Sequence, residues 1–448
     1  MNQTNIFDII YPKYKITKPI RIIEIFGGYG SQALALKYLG ANYESWKLIE
    51  WAVKSIQAYK DIHFTNNDIN YSYLIPKEEL DDILFELGIS QNYNEPMTKQ
   101  QIQRLNEKQV RIIYNNICAT NNLVNIQQVK GKDLEIENTD KYEYIMTYSF
   151  PCQDLSLAGK RKGMSDVSTR SGMLWEVERI LTECKELGSL PQVLLMENVP
   201  TLHSVDNMAD FHKWQVKLEE LGYKNYWQDL IATDYGMPQT RNRCFMISIL
   251  GDYSYTFPKP IPLKLKLKDM LEDKVDEKYY LSDKMIKYIS ADNQKWTGNN
   301  GEALINKTYA STLNTNEGSR RCDASNYISE DVEENYNLKI KNATKQGYLE
   351  AQEGDGIDIS SRMEHHRGTV QKGKSQTLTT MGGENNGVVV SNLRIRKLTP
   401  RECFRLMGVK DEDYDNVCKN QSDSSLYHLA GDSIVVNVLM AIFRELLE

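Results

Sequence analysis

The chain has 448 residues, 41% of them hydrophobic and 26% charged, with a net charge of −7. That length exceeds one compact core and predicts two domains, while the acidic balance excludes a protein that coats nucleic acid without specificity. No apolar run reaches the ~18 residues of a bilayer span, no basic-then-apolar leader is visible, and the 7 cysteines include no CxxC pair, so no zinc site or disulfide framework is predicted and a reducing cytoplasm is the expected home.

In chain order, the first predicted strand is Arg21 to Phe26, followed by a glycine turn and a helical pattern through Leu39 that Gly40 stops. A second strand from Trp46 to Ile49 ends in Glu50, completing a βαβ unit. Residues 71–142 interrupt this rhythm. Glu78 to Gly88 and Lys99 to Asn116 carry helical spacing, which predicts a helical insertion returning to the sheet near Ile126 to Val129. Strand–helix alternation around 143–150, 192–197 and 243–250 then predicts a mostly parallel, doubly wound α/β sheet of Rossmann-like type. Residues 258–394 open with Pro258, Pro260 and Pro262, balance their charges and lack periodicity, as a second, smaller, irregular domain would. From Arg396 the pattern turns helical, with an amphipathic terminal helix around Val435 to Phe443. The expected division is 1–257, 258–394, and a segment 395–448 returning to the first domain.

Four groups of residues carry chemistry. Gly28-Tyr29-Gly30-Ser31-Gln32-Ala33 fits G-x-G-x-x-[GA], and Glu50 follows at the spacing of an acid that binds ribose hydroxyls. This predicts an adenosine-containing cofactor and leaves NAD open. Trp51 reads either as a flat surface for adenine or as a core aromatic, and Asp68 as an acceptor for the adenine amino group. Cys152 follows an apolar run and Pro151 at a strand end, and Glu197 closes the run Val193 to Met196. Ligands bind outside the carboxyl ends of parallel strands, so thiol and carboxyl meet in one crevice. Gln239, Arg241 and Arg243 alternate ahead of a strand and share one face, as a clamp for a base oxygen or phosphate or as a solvated edge. Basic stripes at 160–170, 362–374 and 394–401 read equally as phosphate contacts or as solvated surface.

Together Phe26-Gly-Gly-Tyr-Gly30, Glu50-Trp51, Asp68-Ile69, Phe150-Pro-Cys-Gln153, Glu197-Asn-Val199, Gln239-x-Arg-x-Arg243, the Arg396 to Val409 segment and Ala430-Gly431-Asp432-Ser433 resemble the DNA (cytosine-5)-methyltransferase family of prokaryotes and phages. The resemblance spans nearly the whole chain in the family's order. It implies S-adenosylmethionine as methyl donor, double-stranded DNA as substrate, and target recognition by 258–394. Phe26, Gly28, Tyr29, Gly30, Glu50, Trp51, Asp68, Ile69, Pro151, Leu174, Asp432 and Ser433 would surround the cofactor. Ser31 and Asp432 depart from the family's usual glycine and asparagine. Cys152 would add to carbon 6 of cytosine, Glu197 would donate a proton to ring nitrogen 3, and Arg241 and Arg243 would support the thiolate and the base's oxygen 2. Gln153, Ser156, Arg161, Gln239, Lys372, Lys374 and Thr379 would touch DNA, the first three from a loop closing over a flipped base. A monomer is expected, with a cognate restriction endonuclease left open as a separate chain.

An RNA cytosine-5 methyltransferase is the nearest rival, and the size of the recognition region favours DNA. An NAD-linked oxidoreductase would leave Cys152, Glu197 and the arginines unexplained. A non-catalytic DNA-binding relative would have no use for Cys152 and Glu197.

Overall fold

In the computed structural model, residues 11–150, 173–280, 338–360, 367–378, 386–389 and 395–448 are described. A six-stranded sheet runs β2–β1–β3–β4–β6–β5, built from β1 (Ile20–Ile25), β2 (Tyr43–Ile49), β3 (Glu143–Tyr148), β4 (Val193–Asn198), β5 (Tyr223–Ile231) and β6 (Asn242–Leu250). β1 pairs in parallel with β2 and β3, and β3 with β4. β6 is antiparallel to both β4 and β5, so the expected parallel sheet has an antiparallel edge. β5 lacks clean alternation and is half exposed at that edge, which is why periodicity does not announce it.

Both faces of the central strands are covered. Successive residues therefore enter different cores, and the runs read as continuously apolar. Ile22, Ile145, Leu195 and Ile247 pack with Leu34, Phe404, Leu439 and Phe443. Their neighbours Ile23, Met146, Leu194 and Met246 pack on the opposite face with Ile180, Trp214 and Leu218. Helix α1 (Ser31–Leu39) and a terminal helix, Val436–Leu447, contact each other beneath the first face. Ile16 N–H donates to Leu446 O at 2.7 Å, and Lys13 pairs with Glu445 at 3.1 Å. Residues 423–447 are apolar and long enough to cross a bilayer by composition, but 67% of the most apolar window is buried in the fold.

Between β2 and Asn122 the chain is mostly helical. α2 (Val53–His63) is followed by α3 (Lys77–Leu87), α4 (Lys99–Gln103) and α5 (Glu107–Ala119), with reciprocal capping boxes at Thr98/Gln101 and Asn106/Gln109. Ile56, Leu80, Leu84, Ile102 and Val110 form a separate small core. The chain rejoins the sheet at Asn122, which bridges Leu48 in parallel, four residues earlier than the predicted return. α6 (Leu174–Glu186) and α7 (Met208–Leu221) cover the second face.

In the 258–394 region, β7 (Leu338–Lys341) and β8 (Tyr348–Ala351) form a hairpin. β9 (Gly356–Asp358), β10 (Val370–Gln371), β11 (Asn386–Val389) and β12 (Ile395–Lys397) form a sheet of order β10–β9–β11–β12. Two boundaries differ from expectation. Leu267 and Met270 are buried in the main core with Leu398 and Phe404, and the segment starting at Arg396 opens as a strand of the second sheet. The helix α8 (Pro400–Leu406) begins only after Thr399, which caps it reciprocally with Glu402. Arg396 and Glu402, 2% and 0% exposed, make a bidentate pair at 2.8 and 2.6 Å that pins β12 to α8. α9 (Asp411–Val417), α10 (Asp423–Asp432) and α11 (Val436–Leu447) complete the chain.

Candidate active site

The turn after β1 is held in a conformation most residues avoid. Phe26, Gly28 and Gly30 have φ of 57°, 56° and 81°, and Phe26 accepts this left-handed geometry despite its Cβ. A side chain at Gly30 would collide with His63 Nε2 and with the Tyr59 ring, and one at Gly27 would press on Leu48 at 2.6 Å, so the turn is closely packed at both glycines. Gly28 differs, since among the described residues a Cβ there would meet only Ser433 Oγ within 4 Å, at 3.8 Å. Among those residues the backbone of the turn is unobstructed beside Ser433.

Glu50, at the end of β2, is 9% exposed. Its carboxylate accepts from Gly28 N–H at 3.1 Å and Ala52 N–H at 2.8 Å. Asn122 brackets its backbone, accepting from Glu50 N–H at 3.1 Å and donating to Glu50 O at 2.8 Å. Burial, with Asp432 adding to it, pushes the Glu50 pKa up to about 7 against those amide hydrogen bonds. An acceptor carboxyl beside an open glycine cradle fits the ribose of an adenosine group.

Other expected cofactor residues divide. Ser433 is buried beside Gly28, and Asp432 is exposed near Glu50. Trp51 is half-buried against the core of the insertion. Leu174 lies fully buried in the second core. Tyr29 is corrected: its ring is fully buried and stacks on Phe404 at 5.3 Å, so only its backbone is left to serve the turn. Asp68 and Ile69 are exposed beside a cavity of about 210 Å³ between α2 and α5, and the side chain that bonds the Glu50 backbone is that of Asn122. Pro151 lies outside the described residues.

The second half of the site sits at the ends of β3 and β4. Asn198 Nδ2 donates to Phe150 O at 3.0 Å, tying the two strand ends together. Glu197 is 5% exposed and accepts from Ser149 Oγ. Arg243 Nε stands 3.1 Å from Glu197 Oε1, close but without hydrogen-bond alignment. Cys152, two residues beyond Phe150, lies outside the described residues.

Gln239 and Arg241 share an inward face, as alternation predicts, but it faces protein. Gln239 is fully buried, donating to Leu406 O at 2.9 Å and accepting from Leu378 N–H at 3.3 Å. Arg241 donates to Leu378 O at 2.8 Å and Ser433 O at 2.7 Å. Its pKa is lowered to about 9 by burial and by Arg243. The expectation that Gln239 reads DNA and Arg241 touches the base is therefore corrected: both join distant segments, and Arg243 alone of the three reaches Glu197.

Lys372 is exposed but paired with Asp355 at 2.8 Å, and Lys374 is half-buried. Ser375 N–H donates to Pro238 O at 2.9 Å and Thr377 Oγ1 to Thr240 O at 3.2 Å, so this stretch fixes the backbone of 238–241. Gln153, Ser156, Arg161 and Thr379 lie outside the described residues. Sequence reasoning missed Asn122 and Ser149. Ser149 adjoins the Phe-Pro-Cys-Gln motif, whereas nothing local marks Asn122, which reaches Glu50 only through folding.

A profile of the C-5 cytosine-specific DNA methylase family matches residues 84–448. The chain is 30% identical over 430 residues to the type II methyltransferase M2.ScrFI of Lactococcus lactis subsp. cremoris, covering 95% of this chain and 99% of the relative. It is 32% identical over 435 residues to the orphan methyltransferase M.SssI of Spiroplasma monobiae, covering 96% and 98%. Among solved structures, the fold is similar to the Dnmt2 methyltransferase of S. pombe, at TM-score 0.51 and 14% identity over 95% of this chain and 97% of that one. It is also similar to a DNMT2 mutant of Spodoptera frugiperda, at TM-score 0.52 and 16% identity over 96% and 100%.

Proposed function

The chain belongs to the C-5 cytosine-specific DNA methylase family and methylates carbon 5 of cytosine in DNA; from that premise we propose that S-adenosylmethionine binds in the Gly28–Glu50 crevice and that Cys152, Glu197 and Arg243 act on the base. The observation that carries this reading is the meeting of Glu197, Ser149 and Arg243 at adjoining strand ends. When bound, S-adenosylmethionine supplies a methyl group on a positively charged sulfur. Glu50 holds the ribose hydroxyls, and the open backbone at Gly28 lets the cofactor approach the turn.

Carbon 5 of cytosine is a poor nucleophile until the ring is activated. The Cys152 thiolate adds to carbon 6 while the Glu197 carboxyl gives a proton to nitrogen 3, moving electron density to carbon 5. Ser149 fixes the rotamer of Glu197, and Arg243, beside it, binds the base's oxygen 2 and favours the thiolate. After methylation, water takes the carbon 5 proton, the released electron pair restores the 5,6 double bond and expels Cys152 as thiolate, and nitrogen 3 returns its proton to Glu197. Neither carbon is reachable inside a stacked duplex, so the target base is flipped out. Residues 258–394 read the sequence of double-stranded DNA. The enzyme acts as a monomer in the cytoplasm and protects DNA, either beside a cognate restriction endonuclease or alone.

Bisulfite sequencing of DNA from expressing cells tests activity and target together. Cys152→Ser should abolish methylation, and duplexes containing 5-fluorocytosine should trap the wild-type enzyme through Cys152. Trapping at another cysteine would overturn the assignment.

A further inference from the structure

The loop between α3 and α4 belongs to the insertion, yet it is bound to the cofactor side of the sheet. Ser90 N–H donates to Trp51 O at 2.7 Å and Val53 N–H donates to Ser90 O at 2.9 Å, so the loop is paired with the residues directly after Glu50. Its shape is set internally. Asn92 Oδ1 accepts from Asn94 and Glu95 N–H at 2.9 and 3.2 Å, Ser90 Oγ donates to Glu95 O at 2.7 Å, and Met97 N–H donates to Ile89 O at 2.8 Å.

From Gln91 to Pro96 every residue is exposed except Tyr93, which turns inward. It does so at φ of 62°, a conformation disfavoured for any residue with a Cβ. The ring lies flat on His428 of α10, with centroids 4.0 Å apart and 14° between planes. The Tyr93 hydroxyl, next to Ser55, is shielded from solvent and has no hydrogen bond of proper geometry among the described residues; the same holds for His428 Nδ1. Burial, then the nearby carboxyls of Glu50 and Asp432, holds the phenol protonated, well above the ordinary tyrosine range. The Tyr93 hydroxyl thus lies on the side of the loop that faces the Glu50 strand end, where Ser90 pairs with the residues after Glu50. A buried unpaired donor is costly and calls for a partner.

We propose that Tyr93 is a cofactor-binding residue supplied by the insertion: its hydroxyl donates to bound S-adenosylmethionine, and its ring, backed by His428, closes the outer side of the crevice. This rests on the assignment of the Gly28–Glu50 crevice to the cofactor. It gives the insertion a role in retaining the cofactor, separate from DNA recognition.

The test is stopped-flow and calorimetric binding of S-adenosylhomocysteine to the full-length protein without DNA. Tyr93→Phe should raise Kd about fivefold, the loss of one neutral hydrogen bond. Tyr93→Ala should speed dissociation by more than ~20-fold, as closure is lost along with the bond. His428→Ala should speed dissociation while His428→Phe, which keeps the stacked ring, restores it. DNA affinity should stay at the wild-type value in Tyr93→Phe, and the melting temperature of the free protein should not fall, since the unpaired hydroxyl costs stability until ligand binds. Glu50→Gln separates the two claims. If Glu50→Gln weakens binding and both Tyr93 variants bind and release ligand as wild type does, the Tyr93 assignment is overturned and the crevice stands. If Glu50→Gln also binds normally, the crevice assignment fails, and Tyr93 with it.

Discussion

Replacing Glu50 by Gln should remove a pH dependence that wild-type cofactor binding carries. The Glu50 carboxyl titrates at about 7 in the folded protein against 4.5 for an ordinary glutamate, because its burial outweighs the two amides that favour the charge. That difference amounts to about 3 kcal/mol in favour of the neutral form. The ribose hydroxyls are best held by the ionised form, which is about nine-tenths populated at pH 8 and about one-tenth at pH 6. Affinity for S-adenosylhomocysteine should therefore fall about tenfold from pH 8 to pH 6. Stability of the free protein should run the other way. A raised folded pKa contributes stability that is fully present below about 4.5 and is lost as pH rises through about 7. Glu50→Gln should bind more weakly at pH 8, by about 1–3 kcal/mol for a lost charged hydrogen bond, with a flat profile. It should also gain stability over wild type as pH rises from 5 to 8. Glu24, likewise held at about 7 by burial, is present in both proteins and cancels from the comparison. Titration calorimetry at pH 6, 7 and 8, paired with urea melts, measures both trends. A binding slope that persists in Glu50→Gln, or is missing from wild type, would refute the reasoning.

Arg243→Ala should lower single-turnover methylation about 10²-fold or more, with DNA affinity within about threefold of wild type, because a charge acting at the reacting base matters most in the transition state; equal loss in binding would make Arg243 a DNA anchor instead. Gln239→Ala should cost about 1–3 kcal/mol in urea unfolding, since it strands the buried Leu378 N–H and Leu406 O, and the folded fraction should bind DNA normally. Lys374→Ala should reduce the salt slope of DNA binding by about one, whereas Lys372→Ala should change it less, its charge being already engaged by Asp355; equal slopes would show that the Asp355 pair opens on DNA.

What could be read in the sequence follows from how local each signal is. The glycine turn, Glu50 and the apolar runs ending at Phe150 and Glu197 are contiguous, and a parallel sheet places strand ends side by side, so crevice and carboxyl could both be inferred. Alternation from Gln239 to Arg243 gave the shared face but not its direction, since period two cannot distinguish a face turned to DNA from one turned to Leu378 and Ser433. An Asp-Ile pair after a helix looks the same wherever it lies, so the sequence alone does not place Asp68, and four helices separate β2 from Asn122, the residue that meets it. Asn122 and Tyr93 are set by pairings across the insertion, of Leu48 with Asn122 and of Ala52 with Ser90. No short-range pattern encodes such contacts. β5 was hidden for a different reason: an edge strand with one covered face and mixed residues gives neither a clean alternation nor an apolar run.

The contact between α1 and α11 has a consequence for synthesis of the enzyme. A ribosome releases the glycine turn and α1 early and α11 after every other described element, so α1 waits uncovered for most of translation. Arg241 likewise waits for Leu378 and then Ser433 before its guanidinium has both acceptors. Nascent chains therefore carry α1 and Arg241 without their full set of partners until α11 has been made, and activity arises only then. A gene interrupted anywhere before Ser433 should yield no partially active product. Two separately translated fragments divided within 281–337 should regain activity only when both are present.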